Sequence, residues 1–307
     1  MRPQRIGLIA FLTVLATLTI DNFQLIQNAE SKLQNSQVLA QTPNPQKAEA
    51  DRLRQQGREQ YQTSQFEAAL QSWQRALTIY REIKDRQGEG ASLGNLGLAY
   101  LSLGDYAKAI EYQQKRLAIA KDIKDRFGEG QSLGNLGVAY YSLGDYTKAI
   151  EYHQQSLAIT RELNDRLGEG AALGNLGIAY VGLGDYTKAI EYHQQRLAIA
   201  REIKDRLGEG AALGNLGIAH YSLGDYAKAI EYHQQRLAIA REIKDRLGEG
   251  QSLANLGNAY YSLEHRFSNQ PPLAAIGFSA CATILAITWR LWTTAVRRRS
   301  NRFLREP

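Results

Sequence analysis

One asparagine recurs every 40 residues through most of the chain. The members of this column are Asn95, Asn135, Asn175, Asn215 and Asn255. An amide side chain is both a hydrogen-bond donor and an acceptor, so a row of amides could pair with the N–H and C=O groups of an extended peptide. Alternatively, the amides could bond only to neighbouring repeats and hold them together. The sequence leaves both interpretations open.

Three histidines recur with the same period and suggest metal ligands. They are His153, His193 and His233. Zinc needs ligands at about 2 Å, whereas packed helices lie about 8–10 Å apart, so equivalent side chains of successive repeats cannot share one ion. The single cysteine, Cys281, provides neither a disulfide nor a CxxC metal site. We therefore expect core or interface histidines, and neither a metal nor another cofactor.

The serines and glycines do not form a catalytic pattern. Ser102, Ser142, Ser222 and Ser262 occupy one repeated position, whereas an active site requires one nucleophile held by a base in a unique setting. A Gly-x-Gly at residues 128–130 lacks the preceding strand that a nucleotide-binding loop requires. The sequence therefore predicts a protein without enzymatic activity.

The columns belong to tandem repeats of 40 residues. Residues 171–210 and 211–250 differ at only four positions. Repeats cover 51–90 (diverged), 91–130, 131–170, 171–210 and 211–250, and a half repeat follows at 251–263. The array of five full repeats and one half repeat is thus predicted to occupy residues 51–263.

Each repeat has the apolar spacing of two helices. In the first half, apolar residues from Leu93 to Tyr100 follow the i, i+3, i+4, i+7 pattern. Residues 103–106, Leu-Gly-Asp-Tyr, supply a glycine for a left-handed turn and an aspartate cap, and Asp125 is expected to cap the next repeat. Because a lone helix pair leaves its apolar stripe in water, the pairs must stack. This predicts an all-α, right-handed superhelical solenoid of antiparallel helix pairs.

The repeated motif resembles the tetratricopeptide repeat (TPR). In the first complete repeat it reads LGNLGLAY at 93–100, GDY at 104–106, AIEY at 109–112 and LAIA at 117–120. The 40-residue form is similar to the repeats of kinesin light chains, spindle-orientation adaptors and bacterial repeat arrays. This resemblance implies that the asparagines line a concave groove and hold an extended peptide by its backbone.

Neighbouring positions could complete such a groove. Glycines precede the asparagines and should leave room for a peptide: Gly94, Gly134, Gly174 and Gly214. One or two turns later lie apolar side chains that could contact the ligand: Leu101, Tyr141, Val181, Tyr221 and Tyr261. The predicted peptide-binding residues are the asparagine column with Tyr141, Tyr221 and Tyr261.

Two features depart from the TPR pattern. A position in the second helix that is usually alanine carries other side chains after Ala76: Arg116, Ser156, Arg196 and Arg236. An arginine stem must therefore pack there or point outward. The last repeat stops after one helix, because Glu264 stands where glycine should continue the motif. Its uncovered apolar flank needs a cover from the tail, a membrane or a second chain, which would make a homo-oligomer.

The N-terminus has the pattern of an export sequence. Arg2 and Arg5 precede an apolar run at residues 6–20, which has the length of a secretory signal core. We expect residues 1–40 to form an export signal or signal anchor, and residues 41–50 a linker. The alternative is an amphipathic helix packed on the first repeat.

A second hydrophobic segment follows the array. After a linker at 264–272, residues 273–296 are uncharged except for Arg290 and are long enough for a transmembrane helix. The basic tail at 297–307 should stay in the cytoplasm by the positive-inside rule. We therefore expect a membrane-anchored protein with its repeats on the extracytoplasmic side. The alternative is a tail created by a frame change within a repeat.

The net charge of +6 belongs to the tail and not to the array. Residues 51–264 carry 26 basic and 27 acidic side chains, whereas residues 265–307 carry seven basic and one acidic. A neutral array does not attract a phosphate backbone, so no nucleic-acid partner is expected. The predicted partners are a protein or peptide and, through the C-terminal segment, a membrane.

Together these patterns predict a non-enzymatic scaffold that binds an extended peptide or a partner helix through the asparagine ladder in the concave groove. Two alternatives stay open. Similar bacterial arrays often precede a caspase-like domain, so the chain could be the regulatory arm of a separately encoded peptidase-type effector. It could also be a structural module that associates with itself through its last helix.

Overall fold

The computed structural model describes residues 44–268, which form eleven α-helices and no strand. The helices are α1 (Pro45–Gln62), α2 (Phe66–Glu82), α3 (Arg86–Ser102), α4 (Tyr106–Asp122), α5 (Arg126–Ser142), α6 (Tyr146–Glu162), α7 (Arg166–Leu183), α8 (Tyr186–Glu202), α9 (Arg206–Ser222), α10 (Tyr226–Glu242) and α11 (Arg246–Ser268). The described residues are thus all-helical, as predicted. Consecutive helices run antiparallel and form pairs. We call the odd-numbered helices first helices and the even-numbered ones second helices.

The described residues form two compact units that divide between Ala212 and Leu213, within α9. The N-terminal unit contains α1 to α8 and the start of α9, and the C-terminal unit contains the rest of α9 with α10 and α11. In the N-terminal unit, successive first helices contact each other directly, whereas its successive second helices do not. The first helices α1, α3, α5 and α7 therefore form one layer of this unit.

The two kinds of turn have the same backbone geometry but different sequences. Within a pair, Gly104 has a φ of 77°, and the carboxylate of Asp105 accepts a hydrogen bond from the backbone N–H three residues later at 3.1 Å. Between pairs, Lys124 has a φ of 57°, and the carboxylate of Asp125 accepts from the N–H three residues later at 2.8 Å. Both aspartate caps were predicted. The left-handed lysine was not, because lysine rarely adopts this conformation.

Leucines and alanines of the first helices form much of the core. In α7, Leu173, Leu176 and Ala179 are fully buried. They belong to one cluster with Ala149 of α6 and Ile199 of α8, so the helix is covered from both sides. Complete burial of a leucine side chain contributes about 1.5–3 kcal/mol, and each repeat supplies such residues to the interface with its neighbours.

The structure corrects the N-terminal boundary of the array. Helix α1 begins at Pro45, inside the predicted linker at 41–50. The side chain of Asn44 caps it by accepting a hydrogen bond from the backbone N–H of Gln46 at 3.0 Å. This position agrees with the other repeats, because α3, α5, α7 and α9 each begin five residues before the 40-residue repeat to which they belong. Ala50 of α1 is buried in the core of the diverged repeat.

The C-terminal boundary is corrected in the same way. Helix α11 continues to Ser268, inside the predicted linker at 264–272. The reason is local: Gly224 has a φ of 76° after the preceding first helix, whereas Glu264 occupies the corresponding position after α11 and does not favour that conformation. The added turn is held by Arg266, whose Nη1 donates to the carbonyl oxygen of Gly224 at 2.6 Å.

The predicted terminal segments lie outside the described residues. These are the export signal or anchor at 1–40, the transmembrane helix at 273–296 and the basic tail at 297–307. Among the helices formed by residues 44–268, none combines the length and apolar character needed to cross a bilayer.

Candidate ligand-binding face

The exposed side of a first helix is a single stripe. In α5 it consists of Phe127, Gln131, Asn135, Val138 and Ser142, which are separated by three or four residues and therefore share one helix face. We call the equivalent stripes of α3, α5 and α7 the amide face, because each has an asparagine at its centre. Since these helices belong to one layer of the N-terminal unit, their stripes form neighbouring parts of one surface.

The amide face carries no charged side chain among its members. Its apolar side chains include Val138 and Ile178 in the middle of the stripes and Phe127 and Leu167 at their N-terminal ends, where Phe127 is 55% exposed. The centres of protein interfaces are depleted of charge, and exposed apolar patches often mark interaction sites. The composition of this surface is therefore that of a contact surface for another molecule.

The asparagine amides of this face are unpaired. Asn95, Asn135 and Asn175 are half-buried, and no described residue forms a hydrogen bond with their side chains. The same holds for Asn215 and Asn255 in the C-terminal unit. Within the described part of the chain, no hydrogen bond therefore supports the alternative in which the amides only join neighbouring repeats. Each amide keeps a donor and an acceptor for an external group.

The predicted tyrosines lie to one side of the asparagine stripe. Each follows its asparagine by six residues, which corresponds to about 120° around an α-helix. Tyr141 packs against Tyr146, with ring centroids 5.4 Å apart, and Tyr221 donates to or accepts from the Ser262 hydroxyl at 2.9 Å. Tyr261 is 63% exposed and lies against a neighbouring imidazole of its own helix. Val138 and Ile178, which are not among the predicted peptide-binding residues, lie closer to the asparagines.

The arginine stems of the second helices pack on glycines of the first helices. A methyl group added at Gly94 would lie 2.6 Å from Cδ of Arg116, and one at Gly174 would lie 2.9 Å from Cδ of Arg196. This confirms one of the two predicted arrangements for these arginines. The missing side chains of Gly94 and Gly174 therefore make room for an arginine of the same chain, whereas a methyl group at Gly134 would lie 3.4 Å from Oγ of Ser156.

These arginines bring positive charge next to the amide face. Burial lowers the pKa of Arg116 and of Arg196, and the nearby carboxylates of Asp125 and Asp205 oppose the effect. An arginine remains protonated in proteins, so each guanidinium keeps its charge in a partly desolvated position.

A cavity of about 450 Å³ lies beside Arg116, between α1, α3, α4 and α5. Its wall includes Phe127, and three aspartates, Asp51, Asp85 and Asp125, line it. The aspartates are engaged within the chain. Asp51 accepts from the Tyr80 hydroxyl at 2.5 Å, Asp85 pairs with Lys47, and Asp125 caps α5.

The repeated histidines are core residues, as predicted. His153, His193 and His233 are at most 2% exposed, and burial lowers their pKa to about 4, so they are neutral at physiological pH. Each ring covers a glycine of the preceding first helix. Within residues 44–268, no group of histidine, cysteine or acidic side chains is arranged to hold a metal ion.

The last helix differs from the other first helices. Leu253 of α11 is 48% exposed, whereas the equivalent Leu173 of α7 is fully buried. Among residues 44–268, no atom lies within 4 Å of the position that a Cβ at Gly257 would take. In the described part of the chain, no helix occupies the side of α11 on which a second helix would pack.

Comparison with known protein families identifies the repeat. The model described as tetratricopeptide repeat matches residues 27–122, 129–202 and 204–267, which together exceed half of the chain. Among curated protein sequences, none matches this chain.

Solved structures share the architecture at low sequence identity. A Signal Transduction ATPase with Numerous Domains (STAND) protein with a tetratricopeptide repeat sensor, from Pyrococcus horikoshii, is 23% identical over 68% of this chain and 32% of its own length, with a TM-score of 0.63. A Rap protein complexed with Competence and Sporulation Factor is 19% identical over 71% of this chain and 64% of its own, with a TM-score of 0.59. Nearly identical TPR-like repeats assigned to a kinesin light chain of Podosopora anserina are 21% identical over 66% of this chain and 99% of theirs, with a TM-score of 0.57. These likenesses show the fold, and with the family match they establish that the chain belongs to the tetratricopeptide repeat family.

Proposed function

We propose that this chain is a non-enzymatic binding scaffold whose ligand, an extended peptide or a partner helix, lies on the amide face. The observation that carries the proposal is the composition of this face: unpaired amides and exposed apolar side chains, without charge, in three neighbouring first helices. An amide can pair with either the N–H or the C=O of a peptide backbone. Val138 and Ile178 supply apolar contact beside the amides.

Two proteins of the same fold support a recognition role. The STAND protein has its tetratricopeptide repeats as a sensor, and the Rap protein is solved in complex with Competence and Sporulation Factor. In the present chain, affinity would accumulate from many small contacts along successive repeats. Removal of repeats should therefore weaken binding in steps.

The proposal is tested by selecting peptides from a random twelve-residue display library on the full chain. The affinity of the selected peptides is then measured for a variant with Asn95→Ala, Asn135→Ala and Asn175→Ala. Since a neutral hydrogen bond contributes about 1 kcal/mol, loss of three should weaken binding roughly 100-fold.

The matched control replaces exposed amides of the second helices, as Gln114→Ala, Gln154→Ala and Gln194→Ala, and should bind with unchanged affinity. Unchanged affinity in a fully helical asparagine variant would exclude the amide ladder. If the wild-type chain enriches no peptide, the proposed function is wrong.

We extend the proposal to the place of action: residues 273–296 anchor the chain in a membrane and the repeats lie on the extracytoplasmic side. The support is the sequence alone, namely the apolar segment followed by a basic tail. Protease added to intact cells should degrade the repeats, and N-terminal sequencing of the mature chain would show whether residues 1–40 are removed. Protected repeats would reverse the assignment.

Two other functions can be separated from ligand capture. If the chain is the regulatory arm of a separately encoded peptidase-type effector, it should co-purify with that peptidase.

If the chain is a self-association module, its association through the exposed side of α11 should disappear when residues 251–263 are deleted, which size measurements on both forms can detect. A monomeric wild-type chain would exclude the self-association module.

A further inference from the structure

The C-terminal end of α11 is fixed to the preceding helix pair. Helix α11 ends at Ser268, and Nη1 of Arg266 in its last turn donates to the carbonyl oxygen of Gly224 at 2.6 Å. Gly224 belongs to the turn between α9 and α10, so this turn and the end of α11 lie side by side in the C-terminal unit. Arg266 pairs with no carboxylate of residues 44–268, which leaves its other N–H groups for an external acceptor.

Aromatic and apolar side chains surround this junction. The hydroxyl of Tyr221 shares a hydrogen bond with that of Ser262 in α11 at 2.9 Å, and its ring centroid lies 5.3 Å from that of Tyr226. Leu223, in the turn, is 50% exposed, and Tyr261, next to Ser262, is 63% exposed. We call the following side chains the terminal surface: Tyr221, Leu223, Tyr226, Tyr261 and Arg266.

The tyrosines of the terminal surface are arranged differently from those of the N-terminal unit. Tyr221 and Tyr261 occupy the same position in successive repeats. In the N-terminal unit this position alternates between tyrosine and an aliphatic residue, as in Leu101, Tyr141 and Val181. Tyrosine combines an apolar ring with a polar hydroxyl, and it is enriched where a bilayer meets water. The composition of the terminal surface is thus typical of a membrane interface.

The covalent connection places this surface close to the bilayer if residues 273–296 are the anchor. Since an extended chain advances about 3.3–3.6 Å per residue, the end of α11 lies at most about 18 Å from residue 273. Leu223 is equivalent to Leu263 of α11, which precedes Ser268 by about 7–8 Å along the helix axis. The polar layer on each side of a hydrocarbon core is about 5–8 Å thick. When the last turns of α11 enter this layer, Leu223 and the tyrosines therefore lie at its outer edge.

The charge around the junction does not favour anionic lipid. Two carboxylates, Asp225 and Glu264, are balanced by two cations, Lys228 and Arg266. Asp225 is already engaged, because its carboxylate accepts from the backbone N–H of Lys228 at 3.3 Å. Contact with lipid would therefore depend on the leucine and the tyrosines, and zwitterionic lipid should be sufficient.

We propose that the terminal surface lies on the membrane in which residues 273–296 are anchored. Leu223 and the rings of Tyr221 and Tyr261 contact lipid at the level of the headgroups. Arg266 donates its remaining N–H groups to a lipid phosphate. The C-terminal unit is then held against the bilayer and not only tethered to it. The inference rests on the proposed place of action, since it requires the anchor.

The test introduces benzoylphenylalanine at position 223 of the full chain, which is reconstituted in phosphatidylcholine vesicles that contain a fluorescent phospholipid. The matched control carries it at position 247, because Leu247 is 73% exposed but lies near the other end of α11, about 32 Å from Ser268 along the axis. The vesicles are irradiated and washed with carbonate, which removes chains that are not anchored. Lipid should be crosslinked at position 223 and not at position 247.

A second experiment tests whether the named side chains hold this contact. Benzoylphenylalanine is placed at position 227, an exposed site in the first turn of α10, and Leu223→Asp is combined with Tyr261→Asp. The loss of both apolar side chains should abolish lipid crosslinking from position 227 while the chain stays anchored. The control combines Leu247→Asp with Leu253→Asp, which replaces two exposed leucines elsewhere on α11, and it should retain the crosslink.

The anchor and the surface contact fail in different ways. Release of the wild-type chain by the carbonate wash would reject the anchor and this inference with it. An anchored chain that is crosslinked to lipid at neither position, equally at both, or to a second copy of the chain instead of lipid would overturn the inference and leave the anchor intact. Lipid crosslinking that survives Leu223→Asp with Tyr261→Asp would overturn it as well.

Discussion

Helices α7 and α11 have closely related sequences but different surroundings. In α7, Leu173 is fully buried and the ring of His193 covers Gly177. In α11, the equivalent Leu253 is 48% exposed, and no atom of residues 44–268 lies within 4 Å of the position that a Cβ at Gly257 would take. Helix α7 packs between α6 and α8, whereas α11 contacts only α10 among the helices of its own unit for which packing is described.

The difference shows that the sequence of a single repeat does not determine whether its apolar side chains are buried. The apolar stripe of a first helix becomes core only when a second helix follows it, as expected for a repeat protein whose stability is a sum of repeat and interface contributions. The same leucine should therefore contribute differently to stability in α7 and in α11.

The largest expected effect concerns these leucines. Leu173→Ala should lower the free energy of unfolding by about 2–5 kcal/mol because it leaves a cavity, whereas Leu253→Ala should cost about 1 kcal/mol or less. Urea denaturation followed by circular dichroism measures both. Equal losses would mean that α11 is covered in the full chain, and they would contradict the difference in burial between Leu173 and Leu253.

The next effect is the pH dependence of stability, which should arise in the helices whose glycines are covered by a histidine; within residues 44–268 no histidine covers Gly257 of α11. The buried His153, His193 and His233 have a pKa of about 4, compared with about 6.5 in the unfolded chain. Between these values the unfolded chain binds more protons, so stability is full above about pH 6.5 and falls as the pH decreases toward 4. The expected loss is roughly 1–3 kcal/mol for each histidine over this range.

One repeat of the chain already carries a neutral side chain, which does not titrate, at the position of these histidines. Gln113 occupies the histidine position in α4, and its amide donates to the carbonyl oxygen of Gly94 at 3.0 Å. A variant with all three histidines replaced by glutamine should lose most of the change in thermal stability between about pH 7 and pH 5. An unchanged pH dependence would assign it to other groups.

The smallest expected effect is the change in stability when Gly177 or Gly257 is replaced by alanine, and this change should have opposite signs at the two positions. Gly177→Ala places a methyl group against the buried imidazole of His193 and should destabilise by about 1–3 kcal/mol. The methyl group of Gly257→Ala contacts none of the residues that the structure describes, and the replacement should stabilise by up to about 1 kcal/mol because alanine favours the helix. Thermal unfolding of both variants is the measurement, and a loss at Gly257 would show an unrecognised contact.

The sequence was sufficient to predict the features that depend on local chemistry. Gly104 and Asp105 predicted the turn within a pair, and Asp125 predicted the next cap, because these residues act on the backbone beside them. The buried histidines could also be predicted from the helix spacing. Lys124 was missed because its left-handed backbone is imposed by the helices on both sides and not by its own preference.

The candidate face was only partly predictable. The asparagine column was identified, but Tyr141 was grouped with it although six residues place it about 120° away. The positions of Arg116 and Arg196 over the glycines depend on how closely two helices approach, which no local pattern specifies. Two arrangements of these arginines were compatible with the sequence, and only the packed structure distinguishes them.

The claim that the first helices bind the ligand is tested most directly by site-specific photo-crosslinking. Benzoylphenylalanine is introduced at position 178, on the amide face of α7, or at position 158, on the exposed side of α6, and each protein is irradiated with a fluorescent peptide selected from the random library. Our account predicts a crosslinked product from position 178 and little or none from position 158. Crosslinking from position 158 but not from position 178 would contradict it.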